Sequence, residues 1–450
     1  SHNPVRDNGI KMCRAYAKPV GRANGLLDVR DGARAYLEGG SIPIREGGRI
    51  ERLDMLDDYI DTMLRLAPLE GTRQLRVVVD AANAMAGHTI PALAKRLPTV
   101  EIIPLFFELD GTFPHHEANP LDPANLRDLQ NAVRENGADL GLAFDGDADR
   151  CIVVDERGEI VPPSAVTAMI AEAEIARSML DGRSRPVVIG NAVSSRAVRE
   201  VVEASGGVFV RTKVGHSIIK QEMADRDAVF GGEHSAHYYF REFFFADSGM
   251  LAALHVLGAL ERSGAQSLSS LLERYSPYAA SGEINSRVDE PVNEILERVA
   301  RVFVERGARR DDLDGVTLTH WDEAADPREQ WWLSVRPSGT EPLVRLNVEA
   351  AEEATMQHLR DFALALVRGE AEVLGEVAPH GEGEKESTMS PDERNLEGMD
   401  WVGSLVRCPE CHASLDLGKE LIVCESCGRR YEREGGIPML ISRDVSSIRD

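Results

Sequence analysis

Apolar residues along this chain follow two alternating patterns, short runs rich in β-branched residues and longer runs with a helical period. The stretch 53–66, LDMLDDYIDTMLRL, places its apolar side chains on one helical face. The runs at 75–83 and 138–144 have the composition of buried strands, and 151–161 is typical of a return strand. Because buried strands separated by helices form parallel sheets covered by helices, the pattern predicts α/β layers.

A further strand–helix–strand unit is predicted between 185 and 215, from RPVVIGNAV through SSRAVREVVEA to GVFVRTKVG. The helix before this unit is expected to use Ser164 as its N-cap, because serine favours that position. From about residue 281 the pattern changes to short strands and two amphipathic runs. The predicted fold class is α/β, with successive mixed-sheet α/β domains, then an α+β domain with an antiparallel sheet, then a small zinc ribbon.

Charge narrows the set of possible partners. The 450 residues include 51 Lys and Arg against 75 Asp and Glu, which gives a formal net charge of −24. Such a chain is a poor nucleic-acid binder through bulk charge, although local cationic groups can still bind an anionic substrate. No stretch approaches the roughly 18 uncharged apolar residues of a membrane-spanning helix. We therefore expect neither a nucleic-acid partner nor a membrane partner.

The loop DGDADR at 145–150 follows a predicted buried strand. Its carboxylates, Asp145, Asp147 and Asp149, are so close in sequence that they repel one another unless a cation lies among them. Oxygen-only ligands favour a hard ion, Mg²⁺ or Ca²⁺. A solvated acidic turn is the alternative, but ligand sites of parallel sheets gather at the carboxyl ends of strands. The sequence therefore predicts a metal site, and 145–150 is called the metal loop below.

Three more loops carry groups suited to a phosphorylated polyol. In RPSGTEP, residues 336–342, hydroxyls and curled backbone N–H groups beside an arginine can hold an anion. In GGEHSAH, residues 231–237, a carboxylate and a hydroxyl can pair with sugar hydroxyls, which both donate and accept. TKVGH, residues 212–216, adds a lysine and a histidine after a strand. Each loop alone could be an ordinary polar turn, so the interpretation depends on their combination. We call 336–342 the phosphate loop and 231–237 the sugar loop.

Four of the six cysteines form two CxxC pairs near the C-terminus, separated by 12 residues. This spacing is typical of a zinc ribbon, in which four thiolates close a tetrahedral structural site. It also indicates a reducing compartment, so we expect a cytoplasmic protein. The stretch before it, 373–398, has the composition of a flexible linker. The predicted zinc ligands are Cys408, Cys411, Cys424 and Cys427.

The order of the motifs is more specific than any one of them. SHNPVRDNGIK, DGDADR, TKVGH, GGEHSAH and RPSGTEP, in this order over residues 1 to about 370, resemble the α-D-phosphohexomutase family of phosphomannomutase and phosphoglucomutase enzymes. The resemblance implies an isomerase that moves a phosphoryl group between the 6- and 1-positions of a hexose through a phosphoserine and a bisphosphorylated sugar. It also implies Mg²⁺ as cofactor, a hexose 1,6-bisphosphate as activator and hexose phosphates as substrates.

The family's residue roles carry over to the positions that match its motifs. Ser1 matches the phosphoserine, Lys11 matches the general base, and His2 would assist that base. Arg150 and His237 match residues close to the transferred phosphate. The implied Mg²⁺ ligands are Ser1, Asp145, Asp147 and Asp149. The implied substrate-binding residues are Lys213 and His216 for the ligand clamp, Glu233 and Ser235 for sugar hydroxyls, and Arg336, Ser338, Gly339 and Thr340 for the non-reacting phosphate.

The resemblance also implies a domain organisation. The family carries a segment before the SHNP motif, so we expect this chain to lack the start of the first domain. The expected boundaries are 1–68 for the remnant of domain 1 with the phosphoserine loop, 69–163 for domain 2 with the metal loop, 164–275 for domain 3 with the sugar loop, 276–372 for domain 4 with the phosphate loop, 373–398 for the linker and 399–450 for the zinc-ribbon module.

The tail carries a second resemblance. CPEC, CESCGRRY and GGIPML are similar to the short zinc-ribbon proteins that activate methyltransferases, which implies a protein partner for this module. Two alternatives to a phosphomannomutase or phosphoglucomutase stay open. One is a phosphoglucosamine mutase, although the sugar loop favours a hexose without an amino group. The other is a catalytically impaired, truncated mutase that carries the zinc ribbon as an adaptor.

Overall fold

The computed structural model describes residues 9–21, 24–41, 47–322, 324–338 and 343–370, and in the tail 422–424, 427, 430–431, 433–434 and 437–438. The chain divides into two units, residues 1–377 and 378–450. The first elements are β1 (Cys13–Arg14), β2 (Lys18–Pro19), α1 (Leu26–Leu37) and α2 (Leu56–Leu66). β1 and β2 pair antiparallel. The predicted amphipathic helix is α2, which buries Ile60, Met63 and Leu66 against the sheet layers that follow.

A four-stranded mixed sheet follows α2. Its elements are β3 (Leu75–Asp80), α3 (Ala86–Ala94), β4 (Val100–Leu105), α4 (Arg127–Asn136), β5 (Leu140–Phe144) and β6 (Cys151–Asp155). The strand order is β4-β3-β5-β6, with β6 antiparallel and the other strands parallel. Every residue of β5 and β6 is buried, as expected where helices cover both faces. The metal loop therefore lies at the carboxyl end of a buried strand.

A five-stranded mixed sheet comes next. Its elements are α5 (Pro163–Leu180), β7 (Val187–Asn191), α6 (Arg196–Ala204), β8 (Val208–Thr212), α7 (His216–Arg226), β9 (Phe230–Gly232), β10 (Tyr238–Phe240), β11 (Ala246–Asp247), α8 (Gly249–Arg262) and α9 (Leu268–Leu272). The order is β11-β10-β9-β7-β8, with β7, β8 and β9 parallel. TKVGH leads out of β8, and the sugar loop spans the turn from β9 to β10.

The prediction that Ser164 caps the following helix is wrong. The helix α5 begins at Pro163 with Pro162 as its N-cap, and no side chain caps it. Proline suits the first helical position because its missing N–H would have no partner there. The Oγ of Ser164 instead accepts a hydrogen bond from the backbone N–H of Ser195 at 3.2 Å, so it ties α5 to the start of α6.

The two mixed sheets share one apolar core. Side chains from both sheets and from α2, α5 and α8 belong to a single buried cluster. Almost the whole of α8 is buried, which explains why its sequence is apolar on all sides rather than on one face. In the described residues, no helix combines the length and the apolar character that a membrane span needs.

The last layer of the first unit is an antiparallel sheet. Its elements are β12 (Ala279–Ala280), β13 (Ile284–Arg287), α10 (Val292–Glu305), β14 (Arg309–Asp311), β15 (Val316–His320), β16 (Trp331–Pro337), β17 (Leu343–Ala350) and α11 (Glu353–Val367). The order is β12-β17-β16-β15-β14, and β13 also pairs with β17. The apolar face of this sheet packs with α10 and α11 in a separate core, as an α+β layer requires.

The described part of the tail consists of two short antiparallel pairs. Its strands are β18 (Ile422–Val423), β19 (Arg430–Tyr431), β20 (Arg433–Glu434) and β21 (Ile437–Pro438). β18 pairs with β19, and β20 with β21. Cys424 directly follows β18 and is buried, while Cys427 lies in the turn before β19. Cys408 and Cys411 lie outside the described residues.

Candidate active site

The metal loop turns sharply from β5 back into β6. Asp145 is buried, and its Oδ1 accepts a hydrogen bond from the backbone N–H of Arg150 at 3.2 Å. Ala148 has a left-handed φ of 59°, and its N–H donates to the carbonyl of Asp145. Carboxylate oxygens of Asp145, Asp147 and Asp149 all lie within 4.8 Å of one another. The loop thus gathers three carboxylates at one point.

These three carboxylates fit a hard divalent cation. The Oδ1 of Asp149 is buried and accepts no hydrogen bond from any residue that the structure describes. Lys11 Nζ lies 2.6 Å from Oδ2 of Asp147 and 2.6 Å from Oδ2 of Asp149, so positive charge already sits beside the loop. An oxygen-only donor set with a buried oxygen left over is the set that Mg²⁺ prefers.

The environment shifts the pKa values of Asp145, which is buried, and of Asp149, which is half-buried, in opposite directions. Burial, together with the charge of Asp149, raises the pKa of Asp145. For Asp149, burial and the charge of Asp247 oppose ionisation, but the hydrogen bond from Lys11 and the charge of His237 outweigh them and lower the pKa. Cationic neighbours therefore decide which carboxyl group ionises first.

Arg150 joins the metal loop to the sugar loop. Its Nε donates to Nε2 of His237 at 3.0 Å, and the two backbones form an isolated β-bridge. Because Nε2 accepts this bond, the proton of the neutral imidazole is on Nδ1, which donates to Ser235 Oγ at 2.9 Å. Burial, and then the charge of Arg150, lowers the pKa of His237 to about 4. A Cβ on Gly249 would lie 2.5 Å from the Arg150 carbonyl oxygen, so α8 can begin here only with glycine.

A second histidine reaches the same place from the start of α7. Nε2 of His216 donates to Oδ2 of Asp247 at 2.7 Å, and Lys220 Nζ lies 3.2 Å from the other oxygen of that carboxylate. Burial opposes ionisation of Asp247, but the hydrogen bond and charge of His216 outweigh it and hold the pKa well below its usual range. Oxygens of Asp247 and Asp149 and a nitrogen of His237 lie within 4.8 Å of one another. Sequence reasoning missed Asp247 and Lys220; the available signal was an Asp-Ser pair directly before the apolar run of α8.

Glu233 of the sugar loop is almost fully buried, at 3% exposure. The hydroxyl of Tyr239 donates to its Oε1, and Nδ2 of Asn191 lies 3.5 Å from its Oε2. Burial raises the pKa of Glu233, although the hydrogen bond from Tyr239 acts in the opposite direction. The sequence analysis did not predict Tyr239 or Asn191 as site residues, because in the sequence they look like ordinary strand residues. Their positions fix the direction of the Glu233 carboxylate.

Two arginines are paired across neighbouring strands at the phosphate loop: Arg336, the first residue of the loop, on β16, and Arg345 on β17. Both donate to the carboxylate of Glu283, Arg345 through Nη1 at 2.8 Å. Nη2 of Arg345 also lies 3.4 Å from Ser338 Oγ. The Nε of each arginine is buried and has no hydrogen-bond acceptor in the described part of the chain, so each keeps a donor for an anion. Gly339 and Thr340 lie outside the described residues.

Three domain models of one family match the chain in consecutive order. Phosphoglucomutase/phosphomannomutase alpha/beta/alpha domain II matches residues 57–158, alpha/beta/alpha domain III matches 162–278, and the C-terminal domain matches 283–366. The chain is 38% identical over 373 residues to a phosphomannomutase of Salmonella typhimurium, covering 81% of this chain and 77% of that protein. The chain belongs to the phosphoglucomutase/phosphomannomutase family.

Further members of the phosphoglucomutase/phosphomannomutase family are similar in sequence and in structure. A protein of Xanthomonas campestris named phosphohexose mutases is 37% identical over 372 residues, covering 82% of this chain and 79% of that protein. The crystal structure of a family protein from Burkholderia thailandensis superposes with a TM-score of 0.63 at 26% identity, covering 76% of this chain and 70% of that one.

In this family member, the structure brings most of the predicted site residues together. The metal loop, Lys11, Arg150, His237, His216 and the sugar loop form one connected cluster of contacts. Burial lowers the pKa of His234, and the charges of Glu283 and Arg336 also act on it. The sugar loop therefore lies within electrostatic reach of the phosphate arginines. Lys213 is exposed at the end of β8 and forms no ion pair with any described carboxylate. Ser1 and His2 lie outside the described residues.

Proposed function

We propose that this chain interconverts hexose 6-phosphates and hexose 1-phosphates, with mannose phosphates as the first substrates and glucose phosphates as the second. The observation that carries the proposal is the contact of Arg150 with His237, which joins a three-carboxylate metal loop to a loop suited to sugar hydroxyls. Family membership supports it, because relatives at 38% and 35% identity bear the name phosphomannomutase. A phosphoglucosamine mutase is the alternative within the same family.

The proposed reaction is an exchange between Ser1 and the sugar. Phosphorylated Ser1 gives its phosphoryl group to the free hydroxyl of a hexose phosphate, and the other phosphate of the resulting bisphosphate returns to Ser1. Lys11, helped by His2, takes the proton of the attacking hydroxyl. Lys11 can do so only after its ammonium has left Asp147 and Asp149 and lost a proton, because a charged ammonium has no free lone pair.

Ser1, Asp145, Asp147 and Asp149 would hold Mg²⁺. When bound, Mg²⁺ supplies electrostatic stabilisation to the charge that develops during phosphoryl transfer. Arg150 directs its guanidinium into the same region, and the neutral His237 beside it can receive a proton at Nε2 once that nitrogen is released. A hexose 1,6-bisphosphate would act as activator by phosphorylating Ser1.

Substrate recognition is divided between two loops. Glu233 would accept hydrogen bonds from sugar hydroxyls, while Ser235 would donate or accept, because polyol hydroxyls need both kinds of partner. The buried Nε groups of Arg336 and Arg345 support binding of the non-reacting phosphate. The proposed substrate-binding residues are Lys213, His216, Glu233, Ser235, Arg336, Ser338, Gly339 and Thr340.

For the tail we propose a structural zinc site formed by Cys408, Cys411, Cys424 and Cys427. The β18–β19 pair supports this proposal, because a short hairpin carries Cys424 and Cys427 in its connection, as in zinc knuckles. The module would then bind a protein partner. The domain boundaries at residues 68, 163, 275, 372 and 398 are proposed with it.

The experiment that tests the function is a conversion assay with the complete chain. Mannose 1-phosphate is incubated with Mg²⁺ and a catalytic amount of glucose 1,6-bisphosphate, and ³¹P NMR follows the 6-phosphate. Parallel reactions contain glucose 1-phosphate or glucosamine 1-phosphate. We expect mannose 6-phosphate to form fastest and a Ser1→Ala variant to be inactive. Faster turnover of glucosamine phosphate would favour the alternative, and no turnover of any of the three would refute the proposal.

A further inference from the structure

A polar cavity of about 130 Å³ lies between α6 and β8 on one side and β14, β15 and β16 on the other. It is lined by four arginines, Arg196, Arg199, Arg211 and Arg309. The volume is well below the roughly 300–1,000 Å³ of pockets that hold drug-sized ligands. Only a compact ion or group therefore fits inside it.

The sequence builds this cavity by giving the antiparallel sheet one polar face. Thr317, Ser334 and Asn347 are direct neighbours across β15, β16 and β17, and all three are buried. Their strand neighbours, such as Leu318 and Leu333, point the other way into the core with α10 and α11. A buried polar face turned away from its own helices needs polar partners, and the arginines of the neighbouring layer face it.

The positive charge at the cavity is only partly balanced. Arg196 Nε bonds to Glu200 at 2.6 Å, and Arg211 Nη1 lies 3.0 Å from Asp311 Oδ2. Among the described residues, no carboxylate oxygen lies within 4.0 Å of a nitrogen of Arg199 or Arg309. The Arg199 guanidinium instead lies over the ring of Phe209, 5.6 Å from its centroid. Both residues are exposed, so their guanidinium groups remain available to an anion that enters the cavity.

Two polar side chains at the cavity also have buried atoms that need a hydrogen-bond partner. Nε and Nη2 of Arg211 are shielded from solvent and have no hydrogen-bond acceptor within the described residues. Oγ1 of Thr317, a residue that is 3% exposed, has no partner there either. A buried donor without an acceptor is costly, so native proteins normally satisfy such groups with a ligand, an ion or water. Both groups belong to residues that line this cavity.

We propose that this cavity binds a compact tetrahedral oxyanion of the inorganic phosphate class. Such an ion offers acceptor oxygens in several directions at once, which suits donors arriving from Arg199, Arg211, Arg309 and Thr317. A carboxylate would leave part of this set unpaired, because its two oxygens lie in one plane. Occupation would hold the two layers together, since the donors come from α6 and β8 on one side and β14 and β15 on the other.

The site is distinct from the phosphate loop and does not depend on the proposed function. The cavity residue Trp332 and the phosphate arginine Arg336 share one face of β16, four positions apart. At about 3.3 Å per residue, their backbones are roughly 13 Å apart. Arg336 and Arg345 donate hydrogen bonds to the carboxylate of Glu283, and none of the charged residues that line the cavity takes part in that contact.

The test locates the ion and then measures its affinity. Crystals of the full chain are soaked in sodium selenate, and anomalous scattering from selenium marks the ion. Sodium phosphate is then titrated calorimetrically at constant ionic strength into the unchanged chain, Arg199→Gln/Arg309→Gln, and the control Arg301→Gln/Arg368→Gln, whose two arginines are exposed elsewhere. We expect a selenium peak in the cavity, and an affinity at least tenfold weaker in the cavity variant but unchanged in the control.

Several outcomes overturn the proposal. These are a cavity without a selenium peak, and a peak combined with equal phosphate affinity in the cavity variant. If the double variant does not fold, Arg309→Gln on the edge strand β14 is used alone with the same criterion. Titration with mannose 6-phosphate tests the other source of a phosphate group. Because the cavity is small, we expect the unchanged chain and the cavity variant to bind the same number of mannose 6-phosphate molecules. A loss of one bound mannose 6-phosphate in the variant would contradict this expectation.

Discussion

Arg150 and His237 are 87 positions apart in the sequence, yet Arg150 Nε lies 3.0 Å from His237 Nε2. A guanidinium only donates hydrogen bonds, so the contact holds the imidazole in the neutral form with its proton on Nδ1. That proton is directed at Ser235, which lies in the loop suited to sugar hydroxyls. Together with burial, this contact therefore keeps a histidine neutral at the junction of the metal loop and the sugar loop.

Replacing Arg150 by glutamine should raise the pKa of His237 from its value of about 4. Burial still lowers that pKa, but the second cause, the charge of Arg150, is gone. We also expect the rate of conversion to fall about a hundredfold, as when one electrostatic donor is removed from other active sites. NMR titration of the imidazole measures the pKa, with Arg127→Gln on the exposed face of α4 as the control. An unchanged pKa in Arg150→Gln would refute this account of the contact.

Replacing Asp147 by asparagine should weaken Mg²⁺ binding at least tenfold. The substitution keeps the shape of the loop but removes one of three carboxylates that lie within 4.8 Å. Isothermal titration of Mg²⁺ into the chain measures the affinity. Asp128→Asn removes one exposed carboxylate from α4 and should bind as the unchanged chain does. Equal affinities for the two variants would show that the metal loop is not the binding site.

Replacing Arg345 by glutamine should raise KM for hexose phosphates about tenfold or more and change kcat much less. The proposed phosphate grip acts on the non-reacting group, which is bound equally in the ground state and the transition state, so its loss affects uniform binding. Arg287, exposed on the neighbouring strand β13, provides the control Arg287→Gln. The prediction fails if kcat falls as much as kcat/KM, since the arginine would then act on the reacting group.

The local pattern of apolar and polar residues predicted the layers of the fold and the strands that carry the loops. The runs predicted at 75–83 and 138–144 became β3 and β5, because largely apolar sequence suits strands covered on both faces. The predicted antiparallel sheet after residue 281 is also present. The prediction of Ser164 as the N-cap was wrong because the helix already begins at Pro163, a residue type that suits the first helical position.

Contacts between distant segments could not be read from the sequence. Glu283 precedes the phosphate loop by more than 50 positions, and only the pairing of β13 with β17 brings it to Arg345. Asp247 lies on the edge strand β11, and His216 reaches it from the start of α7, the helix that leads from β8 at the opposite edge back to β9. The sequence of each loop indicated the type of ligand that it binds. The partners Glu283 and Asp247, in contrast, depend on how strands are placed and paired, which the pattern of single residues does not encode.

Replacing Cys424 and Cys427 by serine should remove one zinc ion per chain. Serine lacks the thiolate, and two remaining cysteines cannot close a four-thiolate site. Native mass spectrometry measures the metal content, with Cys13→Ser as the control because Cys13 is exposed and far from the tail in sequence. We expect hexose phosphate conversion to be unchanged, since the tail belongs to a separate unit. Equal zinc content in the variant and the control would contradict the zinc-ribbon assignment.

The stability of the first unit should depend on the ionisation of Glu174. This side chain of α5 is 2% exposed, and its Oε2 accepts from Arg177 at 2.6 Å while its Oε1 lies 3.4 Å from His255 on α8. Burial raises the pKa of Glu174 to about 7, although the charge of Arg177 acts in the opposite direction. Burial likewise lowers the pKa of His255 to about 3, so this histidine stays neutral. Of the other charged groups nearby, Glu242 raises the pKa of Glu174 and Arg241 lowers it.

A carboxyl group whose pKa is higher in the folded state binds more protons there than in the unfolded chain between its two pKa values. Its contribution to stability is therefore complete below the unfolded value, near pH 4.5, and is lost as the pH rises towards 7. The loss is on the order of 2–3 kcal/mol. Urea unfolding between pH 5 and 8 should show the unchanged chain losing its advantage over Glu174→Gln as the pH rises. Glu135→Gln on the exposed end of α4 is the control, which should follow the unchanged chain throughout. A constant difference between the unchanged chain and Glu174→Gln would mean that Glu174 ionises with an ordinary pKa, despite its burial between α5 and α8.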